Sequence, residues 1–297
     1  MNMRLILKKT FLWSLAIFFA GGVLACGAAA MLFYWASRDL PDISHITEYK
    51  QPQATVILAR DGSTLGTLYH EKRFVVGLKD MSRHLPLAFL AAEDDAFYRH
   101  MGVDPVAIFR AAINNFRKGR QGEGGSTITQ QLVKQLLLTS ERSYTRKMKE
   151  ALLAYQLEKN FSKDQILTIY LNQIYLGEHA HGVEAAARTY FGKHASDITL
   201  AESAVIAGLP KAPSSYNPFR HPDAAKKRQM YVLGRLRDLQ WISREEYEAA
   251  AREPLVYWSM PDGTSGAALW YLEEARRLLI EFFTEANLKA LGVETVK

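Results

Sequence analysis

The chain has 297 residues, a formal net charge of +6, 48% hydrophobic residues and one cysteine, Cys26. That length allows one or two domains with a sizeable core. A single cysteine excludes an intrachain disulfide and a Cys-rich metal site. The positive balance favours an anionic partner, whether nucleic acid, a membrane surface or a phosphorylated substrate.

Residues 11–36 carry no charge and are numerous enough to span a bilayer. Arg4, Lys8 and Lys9 precede them, which predicts a cytoplasmic tail over 1–10 and a translocated body. The apolar run continues past Ala28–Ala30 through Tyr34 and Trp35, longer than a cleaved signal peptide needs. An uncleaved single-pass anchor is therefore expected, with the body on the outer or periplasmic side of the cytoplasmic membrane. That placement removes nucleic acid as a partner. Residues 37–64 read as a polar tether with Pro41 and Pro52, followed by the start of a β-hairpin. The hairpin places residues 55–58 and 64–69 on either side of Asp61-Gly62.

From Pro86 the pattern turns helical. Helices are predicted from Pro86 through Leu90 and Ala91, then over 106–116, 127–138, 145–159, 162–176, 199–209 and 224–239. Pro210 and Pro213 are expected to stop the sixth of these. Ser162-Lys163-Asp164-Gln165 opens the fifth as a capping box, and Ser243-Arg244-Glu245-Glu246 opens a last short one. The body is thus mainly α with a small β element near its start.

Three places need a chemical explanation. Glu93, Asp94 and Asp95 end an apolar helix, where carboxylates oppose the dipole at a cost of about 0.3–1 kcal/mol each. Adjacent charges also raise one another's pKa, which suits a general acid or base. A solvated helix end capped by Arg99 or His100 explains them equally. Next, Gly124-Gly125-Ser126-Thr127-Ile128-Thr129-Gln130-Gln131-Leu132-Val133-Lys134 opens a helix with a Thr127/Gln130 capping box. Thr127, Gln130, Gln131 and Lys134 share an arc of about 100°. They form either an ordinary solvated face or a surface for a sugar joined to a phosphate. Last, Arg146 and Lys147 lie in the first turn of a helix, where cations are disfavoured. Arg142 and Lys149 flank them, and Glu150 follows. An intrahelical pair in this order is weak, whereas a pyrophosphate pocket uses every cation. The segment 103–120 adds a basic helix whose apolar half fits either core packing or a membrane interface.

Together these blocks resemble the peptidoglycan glycosyltransferase domain (family 51) of class A penicillin-binding proteins and their monofunctional relatives. The first motif is similar to Glu93-Asp94-Asp95-Ala96-Phe97-Tyr98-Arg99-His100-Met101-Gly102, and the second to the run from Gly124 to Lys134. The third is similar to Arg146-Lys147-Met148-Lys149-Glu150. The fourth is similar to Ile166-Leu167-Thr168-Ile169-Tyr170-Leu171-Asn172-Gln173-Ile174-Tyr175-Leu176-Gly177. The fifth starts at Gly182-Val183-Glu184. The likeness covers residues 65–250. It implies a lysozyme-like, mainly helical fold and polymerisation of lipid II onto a lipid-linked glycan chain, with inversion and release of undecaprenyl pyrophosphate. It implies that Glu93 is the catalytic base. Glu150 is implied as a second essential carboxylate that orients the donor or holds a divalent cation, magnesium or manganese, with the pyrophosphate. Ser126, Thr127, Gln130, Gln131, Lys134, Arg142, Lys147, Lys149 and Asn172 are implied as substrate contacts.

Gln135 stands where the family usually has Asn, and Glu178-His179-Ala180-His181 is unusually rich in histidine. That His pair is read as loop surface rather than as a metal site. Ser-x-x-Lys and Lys-Thr-Gly, which mark a transpeptidase, are absent. No penicillin-sensitive activity is expected from these residues. Residues 251–297 are read as a C-terminal extension, either the tail of a monofunctional enzyme or the start of a linker to a transpeptidase supplied elsewhere. Two competing functions remain. A lytic lysozyme-like glycosidase needs a carboxylic acid but no basic cluster. A non-catalytic membrane-anchored scaffold predicts that Glu93→Gln changes nothing.

Overall fold

The computed structural model describes residues 72–118, 124–138 and 144–258, the strands Thr55–Leu58 and Thr64–Leu68, and isolated positions within 13–41 and 274–282. The elements run in chain order. First come β1 (Thr55–Leu58), β2 (Thr64–Leu68), β3 (Lys72–Arg73), α1 (His84–Glu93) and α2 (Pro105–Lys118). Next are α3 (Ile128–Leu137), α4 (Tyr144–Asn160), α5 (Lys163–Gln173) and β4 (Ala180–His181). Last are α6 (Val183–Phe191), α7 (Leu200–Gly208), α8 (Pro222–Asp238) and α9 (Arg244–Arg252). The chain is mostly helical, as its periodicity predicts. The hairpin forms as expected, with β1 antiparallel to β2.

Among the described residues no helix is long and apolar enough to cross a membrane. The cytoplasmic tail, much of the expected anchor over 11–36, Arg142 and most of the extension past 258 lie outside the described residues. The positions described between 13 and 37 are helical, and Trp13, Phe18, Phe19, Leu24 and Met31 are exposed there.

Contacts divide the chain into two compact units, one of residues 1–49 and 98–162, the other of residues 50–97 and 163–297. In the first, α3 packs against α4. Ile128, Leu132 and Val133 of α3 and Leu153, Ala154 and Leu157 of α4 are buried. The predicted capping box opens α3: Thr127 Oγ1 accepts from the Gln130 amide, and Gln130 Oε1 accepts from the Thr127 amide, both at 3.1 Å. Gly125 earns its place by proximity. A Cβ there would lie 2.8 Å from Ile108 Cα, so α2 needs a residue without a side chain beside it. Gly124, its neighbour, faces open space.

In the second unit, α7 is buried on every side, as a helix apolar all round must be. It packs against α1 and α8. A Thr199/Glu202 capping box starts it. Phe89 of α1 meets Tyr170 of α5 edge-on, with centroids 6.1 Å apart. Helix α7 ends at Gly208, before Pro210 as expected, and Pro210 lies in a 3-10 turn, Leu209–Lys211, that follows it; a missing N–H is tolerated in the first turn of such a segment. One boundary differs from expectation. Helix α5 ends at Gln173 rather than 176. Gly177, Glu178 and His179 all take positive φ and reverse the chain. The reversal lets Leu176 N–H bond Ala180 O at 2.9 Å and sets β4 parallel to β3. Residues 180–181 are therefore strand rather than loop.

Gly182, just after β4, has φ +83° and would place a Cβ 2.6 Å from Asn172 O. Gly182→Ala is expected to destabilise the fold by roughly 2–4 kcal/mol. Thermal unfolding beside Gly124→Ala, whose new Cβ meets nothing within 4 Å, checks this: the first midpoint should drop and the second should not.

Candidate active site

Helix α1 delivers Glu93 as its last residue and Asp94 as its C-cap. Asp94 is buried, while the Glu93 side chain keeps 15% of its surface exposed. The sequence offered Arg99 or His100 as counter-cations, but the structure supplies them from α8. Arg228 Nη2 lies 3.7 Å from Glu93 Oε1, and Arg235 pairs with Asp95 while its Nε donates to Ala91 O at 3.3 Å. His100 instead stands 3.8 Å from Glu158, whose Oε1 accepts from Thr129 Oγ1 at 2.6 Å. Tyr170, fully buried, faces the same carboxylates. Burial first, then the charges of Glu93 and Asp94, push its hydroxyl well above the ordinary tyrosine pKa, so it stays a neutral phenol.

Sequence reasoning missed Arg228 and Arg235. The signal was present. Ala225, Val232 and Leu236 mark the buried side of α8, and Arg228 falls at i+3 from the first and i−4 from the second. A cation in the apolar period is a placement to question.

In the other unit, α4 presents Glu150 almost fully buried. Arg146 Nη1 donates to Glu150 Oε1 and Lys147 Nζ to Oε2, each at 2.7 Å. Lys147 Nζ also reaches Ser126 Oγ at 2.8 Å. The structure therefore joins Ser126, Arg146, Lys147 and Glu150 in one cluster. The expected intrahelical pair forms there, and Lys147 keeps 48% of its side chain exposed. Lys134 is exposed, and Gln131 and Lys149 are part-buried.

Three residues expected as substrate contacts are turned inward. Thr127 and Gln130 are buried. Their polar groups serve the cap, and Thr127 Oγ1 also donates to Gly102 O at 2.6 Å. Asn172 is fully buried. Its Oδ1 accepts from Val76 N–H at 2.9 Å, and its Nδ2 donates to Val76 O and Thr168 O at 2.8 Å. The two bonds to Val76 tie the segment after β3 to α5, and the bond to Thr168 O stays within the helix.

A divalent cation does not fit the Glu150 cluster. Each carboxylate oxygen already takes a cationic side chain, a donor set that favours an anion. Among the described residues no three His, Cys, Asp or Glu side chains converge on a common point. His181 lies against Tyr175 instead, centroids 5.0 Å apart and rings tilted by 47°.

Residues 61–237, more than half of the chain, match the family model described as Transglycosylase. The chain belongs to the transglycosylase family. The match contains Glu93, Ser126, Lys134, Lys147 and Glu150 together with Arg228 and Arg235. Penicillin-binding protein 1A of Aquifex aeolicus (strain VF5) is 50% identical over 219 residues, covering 74% of this chain and 30% of that protein. Penicillin-binding protein 1A of Rickettsia conorii (strain ATCC VR-613 / Malish 7) is 40% identical over 291 residues, covering 97% and 37%. A crystal structure of penicillin-binding protein 1A from Haemophilus influenzae aligns with a TM-score of 0.45 and 28% identity, covering 80% of this chain and 26% of that one. This transglycosylase chain spans about a third of the length of the curated relatives it matches.

Another buried carboxylate, Glu184, belongs to the scaffold. Burial pushes Glu184 up, but the Ala195 amide at 2.7 Å, Arg188 at 2.7 Å and His194 at 2.9 Å outweigh it and hold it below the usual glutamate value of 4.5. The folded pKa is lowered, so the stability it contributes is present above 4.5 and lost as pH falls through the folded value. The thermal midpoint is expected to drop on acidification below pH 4.5, and Glu184→Gln should flatten that drop. Unchanged pH dependence in the variant would place the acid sensitivity elsewhere.

Proposed function

We propose that this chain polymerises lipid II into β-1,4-linked glycan strands for peptidoglycan synthesis. The reading rests above all on the joined Ser126, Arg146, Lys147 and Glu150 cluster in a transglycosylase chain: buried charge, exposed ammonium and hydroxyl in one place suit a sugar pyrophosphate. Glu93 takes the proton from the 4-hydroxyl of the acceptor lipid II. The freed oxygen attacks the anomeric carbon of the lipid-linked donor chain, and the bond to undecaprenyl pyrophosphate breaks on the opposite side, with inversion. A positioned base is needed because a neutral hydroxyl is a poor nucleophile. Lys147, with Lys134, Lys149 and Arg142, offsets the charge gathering on the leaving pyrophosphate. Ser126 and Gln131 are the proposed neutral contacts to the donor. The helical body is read as lysozyme-like.

A membrane setting supports the same reading. Along α2, Val106 (65% exposed), Phe109 (68%) and Phe116 (90%) face solvent beside exposed Arg110 and Arg117. An apolar helix face edged with cations suits an anionic lipid interface. With residues 11–36 as anchor, the body would work on the outer face of the cytoplasmic membrane, where a separate transpeptidase could cross-link its product.

The test is incubation of purified protein in detergent with lipid II, with products sized on a gel. Chain growth by the wild type and almost none by Glu93→Gln is expected. Cleavage of finished glycan would point to a lytic glycosidase. Chain growth that survives Glu93→Gln would remove Glu93 as the base, and a folded wild type that polymerises nothing would leave a scaffold.

A further inference from the structure

We propose that Arg228 is the positioning residue for Glu93, holding that carboxylate ionised and in place at the end of α1; the proposal rests on the reading of Glu93 as the base. Arg228 is 8% exposed, and a buried cation is costly unless something pairs with it. Its slot is built on three sides. Nε donates to Gly208 O at 3.2 Å. The guanidinium carbon lies 4.4 Å from the Tyr231 ring centroid and 5.8 Å from that of Tyr216, within cation–π range. Nη2 faces Glu93 Oε1 at 3.7 Å.

Gly208 shows how closely the slot fits. A Cβ there would stand 2.8 Å from Arg228 Cγ and 3.6 Å from its Cβ. Those atoms are the base of the side chain, which cannot swing aside as its tip could. The last residue of α7 therefore has to be glycine for α8 to bring this guanidinium to α1.

Stability alone is a poor reason for the arrangement. Apolar residues of similar volume usually serve a buried position as well as an ion pair does. Glu93, in contrast, has a specific need. It ends a helix, where the dipole disfavours negative charge, and Asp94 follows it directly. The groups that face it include Arg228 from α8 and the neutral phenol of Tyr170 from α5, and Asp94 follows it on its own segment. Arg235, on the same helix as Arg228, serves Asp95. Of these partners, Arg228 is the cation set against the base.

Arg228→Met keeps the stem and deletes the charge, and Arg228→Lys returns a charge without the planar fork. The readouts are kcat and KM for lipid II, the acid limb of the kcat/KM pH profile, and a 13C titration of the Glu93 carboxyl, which does not depend on activity. For the methionine variant kcat should fall about tenfold or more with KM nearly unchanged. Its acid limb and the Glu93 titration should both move up by about one pH unit, and lysine should recover much of that shift. A methionine variant with a lower thermal midpoint but wild-type kcat and acid limb would make Arg228 a packing residue and overturn the proposal. Should that variant fail to fold, Gly208→Ala displaces the stem and leaves the charge: a shifted acid limb supports the proposal and an unshifted one overturns it. If folded wild type does not polymerise lipid II, the functional reading falls, and the Glu93 titration still decides whether Arg228 holds the carboxylate ionised.

Discussion

Glu93→Gln is expected to lower kcat for glycan synthesis by about 10²–10⁴-fold, the usual contribution of a positioned general base. The fold should survive it. Glutamine keeps the shape and removes the charge, so the variant gains about 0.3–1 kcal/mol by relieving the clash with the α1 dipole. It also loses the attraction of Arg228 at 3.7 Å. Arg228 keeps its bond to Gly208 O and its two aromatic neighbours. Leaving the buried Arg228 to face a neutral amide costs about 1–3 kcal/mol, more than the dipole term returns, so the thermal midpoint should fall modestly with the fold retained. Near-UV circular dichroism and a thermal scan beside the polymerisation assay would separate lost chemistry from lost structure. A fall in kcat that merely tracks a fall in folded protein would remove Glu93 from the chemistry.

Glu150→Gln should cost both stability and rate. The amide can still accept from one of its two partners, but it leaves Arg146 and Lys147 facing each other without a shared carboxylate. Lys147, about half exposed, can turn to water, and its part of the loss is small. Arg146 is 17% exposed, and its lost charged hydrogen bond should cost about 1–3 kcal/mol. The rate should fall further than this, by about 10²–10³-fold in kcat, as for removal of an electrostatic contact aimed at developing charge. Lys147 would no longer be fixed between Glu150 and Ser126. Kinetics at saturating lipid II, with the folded fraction measured in parallel, check the pair of effects. If the rate loss equals the stability loss, Glu150 only holds the helix together.

Local signals in the sequence were read well where the physics is local. The Thr127/Gln130 capping box forms as its spacing predicts, and the short helix expected at Ser243 starts there. The Thr199/Glu202 box has the same spacing and went unread. The helical-wheel argument was less secure. It placed Thr127 and Gln130 on a ligand-facing arc, yet both turn inward, because an N-cap that satisfies backbone amides has little left for a ligand. Asn172 shows the same limit at longer range. Its partner Val76 lies too far back in the chain for any periodicity to report. The β3–β4 pairing joins two short segments remote in sequence, and neither has a pattern of its own. Gly125 has to be glycine because α2 lies against it, a closeness that no local pattern reports.

The order in which the chain visits its two units has a consequence for biogenesis. Helix α1 packs on α7 and α8, yet a growing polypeptide completes residues 98–162, the body of the other unit, before either partner exists. Until residue 238 has emerged, Leu85, Phe89 and Leu90 have no finished surface to cover them, and non-local closure of this kind is slow and prone to aggregation. A nascent chain stopped after α6 would carry the first four sequence motifs and the start of the fifth and still lack the wall that seats Glu93. Possession of the motifs and possession of the base are therefore separate events in the life of this protein, and a quality-control protease has the interval between them in which to act.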